Sequence, residues 1–220
     1  MCTYIRHKTG NIKIITVWVD DLLLFTNMPD IMRHLKAELH NLFEITNMGE
    51  PSKIVGIEIE HDPENKTISI GQVQYINSIL QKWGMTKANK VAMPIDPHLK
   101  LEPSINDTPS KSTPYALLIG SLMHATVAIC PDIAYTVLQL TAFMTNPDLQ
   151  HWTTAKHVLR YLAGMQNLKL KYMAEKQENG PTNSFYLYSD ADFANTEDCI
   201  SISGYVSMLS NVVIMWSTKK

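Results

Sequence analysis

The spacing of hydrophobic and polar positions changes along the chain, and the changes predict its elements. Residues 12–26 are strand formers on both sides of an acidic pair, which predicts two strands around a tight turn at Asp20 and Asp21. Apolar residues at helical spacing follow, in a helix that Asn27 is placed to cap and that Pro29 is suited to begin. The residues of this stripe are Ile31, Leu35, Leu39 and Leu42.

The middle of the chain predicts a hairpin, a second helix and an extended segment. The hairpin joins strands at 54–59 and 67–70 through a polar loop. An amphipathic helix runs from Tyr75 and is closed by Gly84. Residues 86–113 are rich in Pro, Asn, Asp, Ser and Lys, so we expect a linker there and an internal boundary.

Residues 114–220 predict three helices and then four strands, so the expected fold class is α+β. The first helix carries a stripe from Tyr115 to Ile129, the second opens at Pro131 and includes Met144, and the third follows Asp148 and ends at Gly164. The expected strands are 168–172, 185–189, 201–207 and 212–216.

Composition is that of an ordinary globular protein, with 45% hydrophobic residues, a net charge of −2 and a pI near 6.4. A net charge near zero does not favour nucleic-acid binding, but it does not exclude it either, because a cleft can be locally positive. Cys2, Cys130 and Cys199 are far apart and odd in number, which favours neither a disulfide framework nor a zinc site. This cysteine usage indicates an intracellular, reduced setting. The apolar run 115–130 is short for a bilayer, so we expect a buried helix there and no membrane partner.

The two adjacent carboxylates of Asp20 and Asp21 stand at the tip of an otherwise apolar hairpin. Burying unpaired charge is costly, so such a pair requires solvent or a cation. A hairpin turn is a rigid platform for Mg²⁺, which takes carboxylate oxygens and leaves room for substrate phosphates. Taken alone, the pair favours an ordinary solvated turn over a metal site, because Asp is a favoured turn residue.

The residues around this turn resemble the polymerase signature of reverse transcriptases, an aromatic residue, a variable residue and two aspartates. Trp18 stands where that family usually has Tyr. Further motifs, in matching order and spacing, resemble copia-type retrotransposon enzymes across nearly the whole chain. The first is Met48-Gly49-Glu50 followed by 54–59, and the second joins 74–76 to 83–85. The third joins Tyr115 to 118–123, and the fourth is 131–135. The last two are His151-Trp152 followed by 155–156, and the segment 159–162.

The resemblance implies a partial polymerase followed by part of a nuclease. Its expected regions are 1–85, the C-terminal part of the palm and the start of the thumb; 86–113, a linker; 114–183, a helical thumb and connection region; and 184–220, the first strands of a truncated RNase H-like sheet. Asp20 and Asp21 would be catalytic and would bind Mg²⁺ in a two-metal site.

The sequence Tyr188-Ser189-Asp190-Ala191-Asp192 resembles the opening of the copia-type RNase H domain, where the first metal-binding aspartate ends the first strand. That position maps to Asp190, which would be catalytic and metal-binding. Asp192 is the alternative metal ligand. The alternative, which assigns no function, is that Asp190 is an ordinary turn residue at the end of a strand.

The resemblance further implies an RNA/DNA template–primer duplex as partner and a nucleoside triphosphate as substrate of the intact parent. The residues expected to contact nucleic acid are Trp18, Gly56, Lys156 and Arg160. Lys156 and Arg160 lie four apart on a helix, so a solvated face is an equal alternative. His151-Trp152 is expected to be a packing pair at a helix start. The parent would act in a cytoplasmic virus-like particle or in the nucleus.

The same resemblance places a third palm carboxylate, the fingers and the RNase H glutamate outside these residues, so we expect no turnover by this chain alone. Two other readings stay open. One is a non-catalytic remnant that binds nucleic-acid duplex. The other is an unrelated α+β protein with an incidental Asp-Asp turn.

Overall fold

Two groups of elements make up the protein, and each is described by itself. The computed structural model describes residues 2–8, 10–103, 114–173, 184–192 and 201–220. They divide into the units Met1–Val55 and Gly56–Lys220. Over these ranges the fold combines short antiparallel sheets with five α-helices, which agrees with the predicted α+β class. Within the same ranges, none of the helices has the length and apolarity to cross a membrane.

The first unit is built on an antiparallel sheet in the order β1-β2-β3. Its elements are β1 (Cys2–Lys8), β2 (Asn11–Trp18), β3 (Asp21–Thr26), α1 (Pro29–Leu42) and β4 (Lys53–Ile54). Leu35 on α1 is the single buried hydrophobic residue in the described part of this unit. The predicted stripe is therefore only partly buried, and Leu42 at its end is exposed.

Strand β1 was not predicted from the sequence, because none of its residues is buried and it shows no inside–outside alternation. Where β1 and β2 are joined, the backbone provides two hydrogen-bond partners for Asn27. The Asn27 side chain accepts from Ile12 N at 3.0 Å and donates to Gly10 O at 2.8 Å. The expectation that Asn27 caps α1 is therefore wrong: its amide closes the sheet, and the N-cap is Met28 without a side-chain bond.

The second unit begins with a sheet that contains β5 (Ile57–Asp62), β6 (Thr67–Gly71) and β7 (Leu170–Met173), in that order. The predicted hairpin forms here, but its first strand runs over Ile57–Asp62 and not over 54–59. Its turn is fixed by Asp62, which accepts from Asn65 N and Nδ2. These hydrogen bonds lower the pKa of Asp62. Leu168, expected to begin β7, precedes the strand and is exposed.

The core of this unit lies among its helices, α2 (Val73–Lys82), α3 (Tyr115–Ala128), α4 (Ala134–Thr141) and α5 (Leu149–Met165), with a 3₁₀ turn at Pro131–Ile133. Each fully buried aliphatic side chain contributes about 1.5–3 kcal/mol. The predicted stripes supply this core, which includes Ile76, Leu80, Leu118, Leu122, Leu140, Leu159 and Leu162.

Two predicted helix ends are wrong. Helix α4 ends at Thr141, so Met144 lies beyond it and is partly exposed. Gly164 does not end α5, which continues to Met165. A helical glycine costs about 1 kcal/mol relative to alanine, and α5 nevertheless includes Gly164, which follows the buried Ala163.

Helix α5 begins with a reciprocal cap. Asp148 accepts from His151 N at 3.0 Å, and His151 Nδ1 accepts from Asp148 N at 3.0 Å. The His151 ring is fully buried and stacks on Phe143 with centroids 3.9 Å apart. Burial lowers the pKa of His151, which favours the neutral ring that this cap uses. The prediction that His151 packs at a helix start is confirmed.

Residues 86–103 contain no helix or strand, and α5 side chains hold this segment instead. It runs antiparallel to α5, and its backbone carbonyls accept hydrogen bonds from that helix. The bonds are Arg160 Nε to Asn89 O at 2.7 Å, His157 Nε2 to Met93 O at 3.0 Å and Gln150 Nε2 to Lys100 O at 3.3 Å. The rest of the predicted linker, 104–113, lies outside the described residues.

The last sheet contains β8 (Phe185–Ala191), β9 (Ser203–Leu209) and β10 (Val212–Lys219), in the order β10-β9-β8. All three strands are predicted by the sequence, but β8 and β10 end later than expected, and β9 is displaced by two residues from the predicted 201–207. Side-chain hydrogen bonds tie β10 to the rest of the unit. Trp216 Nε1 donates to Thr126 O at 2.8 Å, and Tyr172 OH donates to Val213 O at 3.1 Å.

Candidate functional site

The acidic pair lies at the tight turn of the predicted hairpin, with Asp20 in the loop and Asp21 as the first residue of β3. Strands β2 and β3 pair up to Trp18 and Asp21, which leaves Val19 and Asp20 as the loop. Val19 has a φ of 51°, a left-handed conformation that is strained for a β-branched residue. Because the ladder fixes both ends of the loop, Asp20 and Asp21 are presented on a rigid tip.

Both carboxylates are exposed, and the surface beside them is apolar. Trp18, which pairs with Asp21, is 41% exposed, and Val19 is 83% exposed. Directly opposed residues of an antiparallel pair share one face of the sheet, so the indole of Trp18 and the carboxylate of Asp21 are neighbours. Two hard oxygen ligands beside an aromatic surface are suited to a divalent cation with a planar group next to it.

A complete ion site needs more than these two residues. Among the described residues, no group of three or more His, Cys, Asp or Glu side chains is arranged to hold a metal. Within the sheet, β3 pairs with β2 and has no second partner strand among the residues described. The edge of β3, which begins at Asp21, is therefore free to pair with a further strand within this unit.

A basic face on the same sheet was missed by the sequence analysis. Arg6 and Lys13 are directly paired between β1 and β2, and Lys8 follows Arg6 at the next position on that face. In the described part of the chain, no carboxylate forms a salt bridge with any of the three. Like charges placed directly across a ladder destabilise it, so a polyanion is the matching partner. The spacing of Arg6 and Lys8 indicates a shared basic face only when β1 is known to be a strand.

The other predicted nucleic-acid residues lie in the second unit. Gly56 has a φ of 79° at an exposed turn, and nothing lies within 4 Å of where its Cβ would stand, so a ligand backbone can approach closely. Lys156 lies over the Trp152 ring at 5.7 Å, and Arg160 bonds Asn89 O. Neither is a freely solvated cation, although Arg160 keeps further N–H donors.

The second predicted acidic site lies where β8 ends. Asp190 is exposed and accepts from Ala191 N at 2.9 Å. Asp192 is committed to Ile202: its backbone N donates to Ile202 O at 3.0 Å, and its Oδ1 accepts from Ile202 N at 2.8 Å. An open depression of about 500 Å³ lies beside Asp190, next to Gly204 and Lys219. Each carboxylate has one oxygen bonded to a backbone N–H, and the two differ in exposure, since Asp190 is exposed and Asp192 is half-buried.

Comparison with known proteins places these features in a family context. Residues 1–97 match the family described as reverse transcriptase (RNA-dependent DNA polymerase). The chain is 30% identical to a retrovirus-related Pol polyprotein from transposon TNT 1-94 of Nicotiana tabacum, over 99% of this chain and 17% of that protein. It is 31% identical to the corresponding protein from transposon RE1 of Arabidopsis thaliana, over 99% of this chain and 14% of that protein.

A shorter relative is covered more fully. The transposon Ty5-1 protein of Saccharomyces cerevisiae is 29% identical over 99% of this chain and 69% of its own length. The chain thus spans less than a fifth of the two long Pol polyproteins that it matches. No solved structure matches the chain.

Proposed function

This chain belongs to the copia-type retrotransposon Pol polyproteins and carries part of their reverse transcriptase, and from that premise we propose that Asp20 and Asp21 are two carboxylates of its polymerase site. The observation that carries the proposal is the two-residue loop of β2 and β3, which presents both carboxylates to solvent on a rigid tip.

Reverse transcriptases generally use a divalent metal ion, and the residues at this tip fit one. Asp20 and Asp21 offer exposed hard oxygens, and the unpaired edge of β3 leaves room beside them for a further ligand. We assign Mg²⁺ to them. When bound, the ion supplies charge stabilisation for phosphoryl transfer. The chain itself orients the two carboxylates through the ladder, and Trp18 places an aromatic surface beside Asp21.

We further propose that the described residues do not complete this site. Two carboxylates leave a two-metal site short of ligands, and a strand added to the free edge of β3 would bring another carboxylate beside Asp21. On this account, the 220 residues alone do not turn over nucleotide, and the nucleoside triphosphate is a substrate of the intact parent.

The proposed regions follow the motifs. Residues 1–85 are assigned to the end of the palm and the start of the thumb, 86–113 to a linker, 114–183 to thumb and connection, and 184–220 to the first strands of an RNase H-like domain. The antiparallel order β10-β9-β8 supports the last assignment, since it gives a sheet whose first strand carries Asp190 one residue before its end at Ala191.

In the RNase H-like part, we assign the metal-binding and catalytic role to Asp190. Its carboxylate is exposed and adjoins an open depression, whereas Asp192 is half-buried and does not line that depression. Asp192 is kept as a second metal ligand through its other oxygen. We place the parent enzyme in a cytoplasmic virus-like particle or in the nucleus.

Membership of this family implies a template–primer as partner, and we propose an RNA/DNA duplex. Trp18 and the basic face of Arg6, Lys8 and Lys13 would contact it in the first unit. The Arg6–Lys13 pair lies five residues along the ladder from the Trp18–Asp21 pair, about 17 Å away. In the second unit, the proposed contacts are the exposed turn at Gly56 and the cations Lys156 and Arg160.

Binding is tested by the anisotropy of a labelled RNA/DNA hybrid over a range of salt concentrations. We expect the triple variant Arg6→Gln/Lys8→Gln/Lys13→Gln to weaken binding and to reduce the slope of log K against log salt by about 2–3. The control removes three exposed lysines, Lys66→Gln/Lys87→Gln/Lys100→Gln. Each triple variant changes the net charge from −2 to −5. An equal loss in both would reject the basic face as a specific contact and leave only a general charge effect.

The metal assignment is tested with Mn²⁺ as a paramagnetic probe of the full chain. We expect selective broadening of NMR signals from the β2–β3 turn and from the end of β8. Asp20→Asn/Asp21→Asn should abolish the broadening at the turn and leave that at β8, and Asp190→Asn should do the reverse. Uniform weak broadening would contradict the site. Primer extension with Mg²⁺ is expected to give no product, and a product that depends on Asp20 would overturn the proposed incompleteness.

A further inference from the structure

The second unit contains a small pocket that is separate from both acidic sites. It lies where the N-terminus of α2, the Pro131–Ile133 turn, the end of α5 and β7 meet, and its volume is about 210 Å³. Its walls are mostly apolar and include Ile76, Ile129 and Leu162, all of which are buried. A single flat ring fits such a volume, whereas a drug-sized ligand requires a larger cavity.

One polar side chain is buried in this apolar wall. Gln72 is 1% exposed, and neither Oε1 nor Nε2 of its amide has a hydrogen-bond partner among the described residues. The backbone of Gln72 is engaged, since its carbonyl accepts from Ile76 N at 2.9 Å and starts α2. A buried amide whose donor and acceptor are both unpaired destabilises the folded chain. A leucine or methionine would fill the same space without that cost.

The unpaired amide specifies the chemistry of its partner. It offers one donor and one acceptor side by side, and a planar heterocycle with an N–H next to a ring nitrogen or a carbonyl satisfies both. Glutamine pairs in this manner with the N6 and N7 atoms of adenine. The sulfur atoms of Cys130 and Met165 line the same pocket, and sulfur packs favourably against aromatic rings.

The rim of the pocket favours a neutral ligand. Asp132 lies there, and its carboxylate accepts from Tyr161 OH at 2.6 Å. The cation of Lys169 at the same rim pairs with Glu60, so it does not offset the Asp132 charge. A phosphate attached to the ligand would meet the Asp132 carboxylate without a free cation beside it.

We propose that this pocket binds one neutral planar heterocycle of nucleobase type, with adenine as its best match, through bidentate hydrogen bonds to the Gln72 amide. The ring lies between the apolar walls and beside the sulfur atoms of Cys130 and Met165. The site is independent of the β2–β3 turn and of the polymerase assignment. It accepts either a free base or an unpaired base of a strand, since both present the same edge.

The experiment titrates the full chain with adenine and follows the Gln72 side-chain NH₂ and Met165 methyl signals by NMR. We expect saturable shifts at millimolar adenine, and N6,N6-dimethyladenine, which lacks the N–H donor, should bind about fivefold to 150-fold more weakly. Equal binding of the two ligands, or no shift at 10 mM adenine, would overturn the proposal. This comparison requires no altered protein.

A protein variant gives a second readout. Gln72→Met removes the amide at nearly constant volume, so it should abolish the preference for adenine over its dimethyl derivative while leaving the melting temperature unchanged or raised. A lowered melting temperature together with unchanged adenine affinity would show that the amide is structural and would overturn the site. Titrations with adenosine monophosphate and with a short oligoadenylate distinguish the sources of the base, and tighter binding of the monophosphate than of adenine would contradict a neutral pocket.

Discussion

Replacement of Tyr115 by phenylalanine tests whether a residue at the centre of a recognised motif acts through packing. Tyr115 is 1% exposed, and its hydroxyl donates to Leu140 O at 2.8 Å near the end of α4. Burial strongly raises the pKa of Tyr115, which keeps the hydroxyl protonated as a donor at every working pH. The substitution removes one oxygen and leaves the ring, so no large cavity is formed.

The expected loss of stability depends on the hydrogen bond that the Leu140 carbonyl retains. Leu140 O also accepts from Phe143 N at 3.2 Å, so the loss of the hydroxyl does not leave it unpaired. The destabilisation should therefore be near the lower end for a buried hydrogen bond, about 1 kcal/mol, or a fall of about 2–4 °C in the melting temperature.

The assay is equilibrium denaturation followed by circular dichroism, with Tyr135→Phe as the matched control. Tyr135 is largely exposed, and its hydroxyl accepts from Gln139 Nε2, so its loss should change the free energy of unfolding by less than about 0.5 kcal/mol. Equal effects of the two substitutions, or a loss above about 3 kcal/mol for Tyr115→Phe, would refute the reasoning.

Three further predictions concern strain, protonation and charge. Val19→Asn should strengthen amide-exchange protection in β2 and β3 by up to about 1 kcal/mol, because Asn tolerates the left-handed φ that strains Val. Burial holds the pKa of His151 below the 6.5 of the unfolded chain, so stability is full above about pH 6.5 and falls on acidification; His151→Phe should flatten that pH profile in denaturant titrations. Arg160→Lys keeps the charge and loses the hydrogen bond to Asn89 O, so it should lower the free energy of unfolding by about 1 kcal/mol. The salt dependence of RNA/DNA hybrid binding should not change in this variant. Arg160→Gln should lower the stability and also reduce the slope of log K against log salt.

The helices of the second unit were predictable because burial repeats with the helical period. In α3 and α5 the apolar residues recur every three or four positions, and the same residues are buried in the structure. The β2–β3 hairpin was predictable for a related reason, since strand formers flank a short polar turn. Local periodicity is sufficient where one face of an element meets a core.

Other features depend on contacts between distant residues, which periodicity does not encode. Strand β1 is exposed along its length and exists through its pairing with β2. The segment 86–103 is ordered by α5 side chains up to 71 residues away in sequence. The local sequence allows Asn27 to cap a helix, but its side chain instead forms two hydrogen bonds, with Ile12 N and Gly10 O. The basic face was missed for the same reason as β1.

The two units differ in how their candidate chemistry is supported. In the second unit, the Gln72 pocket is lined in part by core side chains, Ile76 and Leu162. In the first, Leu35 is the one buried hydrophobic residue among those described, so Asp20 and Asp21 are positioned mainly by the backbone ladder. An isolated sheet of this size is marginal without a covered apolar face. In the proposed assignment, a strand added to β3 would extend that sheet and bring a third carboxylate, so folding of the hairpin and completion of the ion site would be coupled.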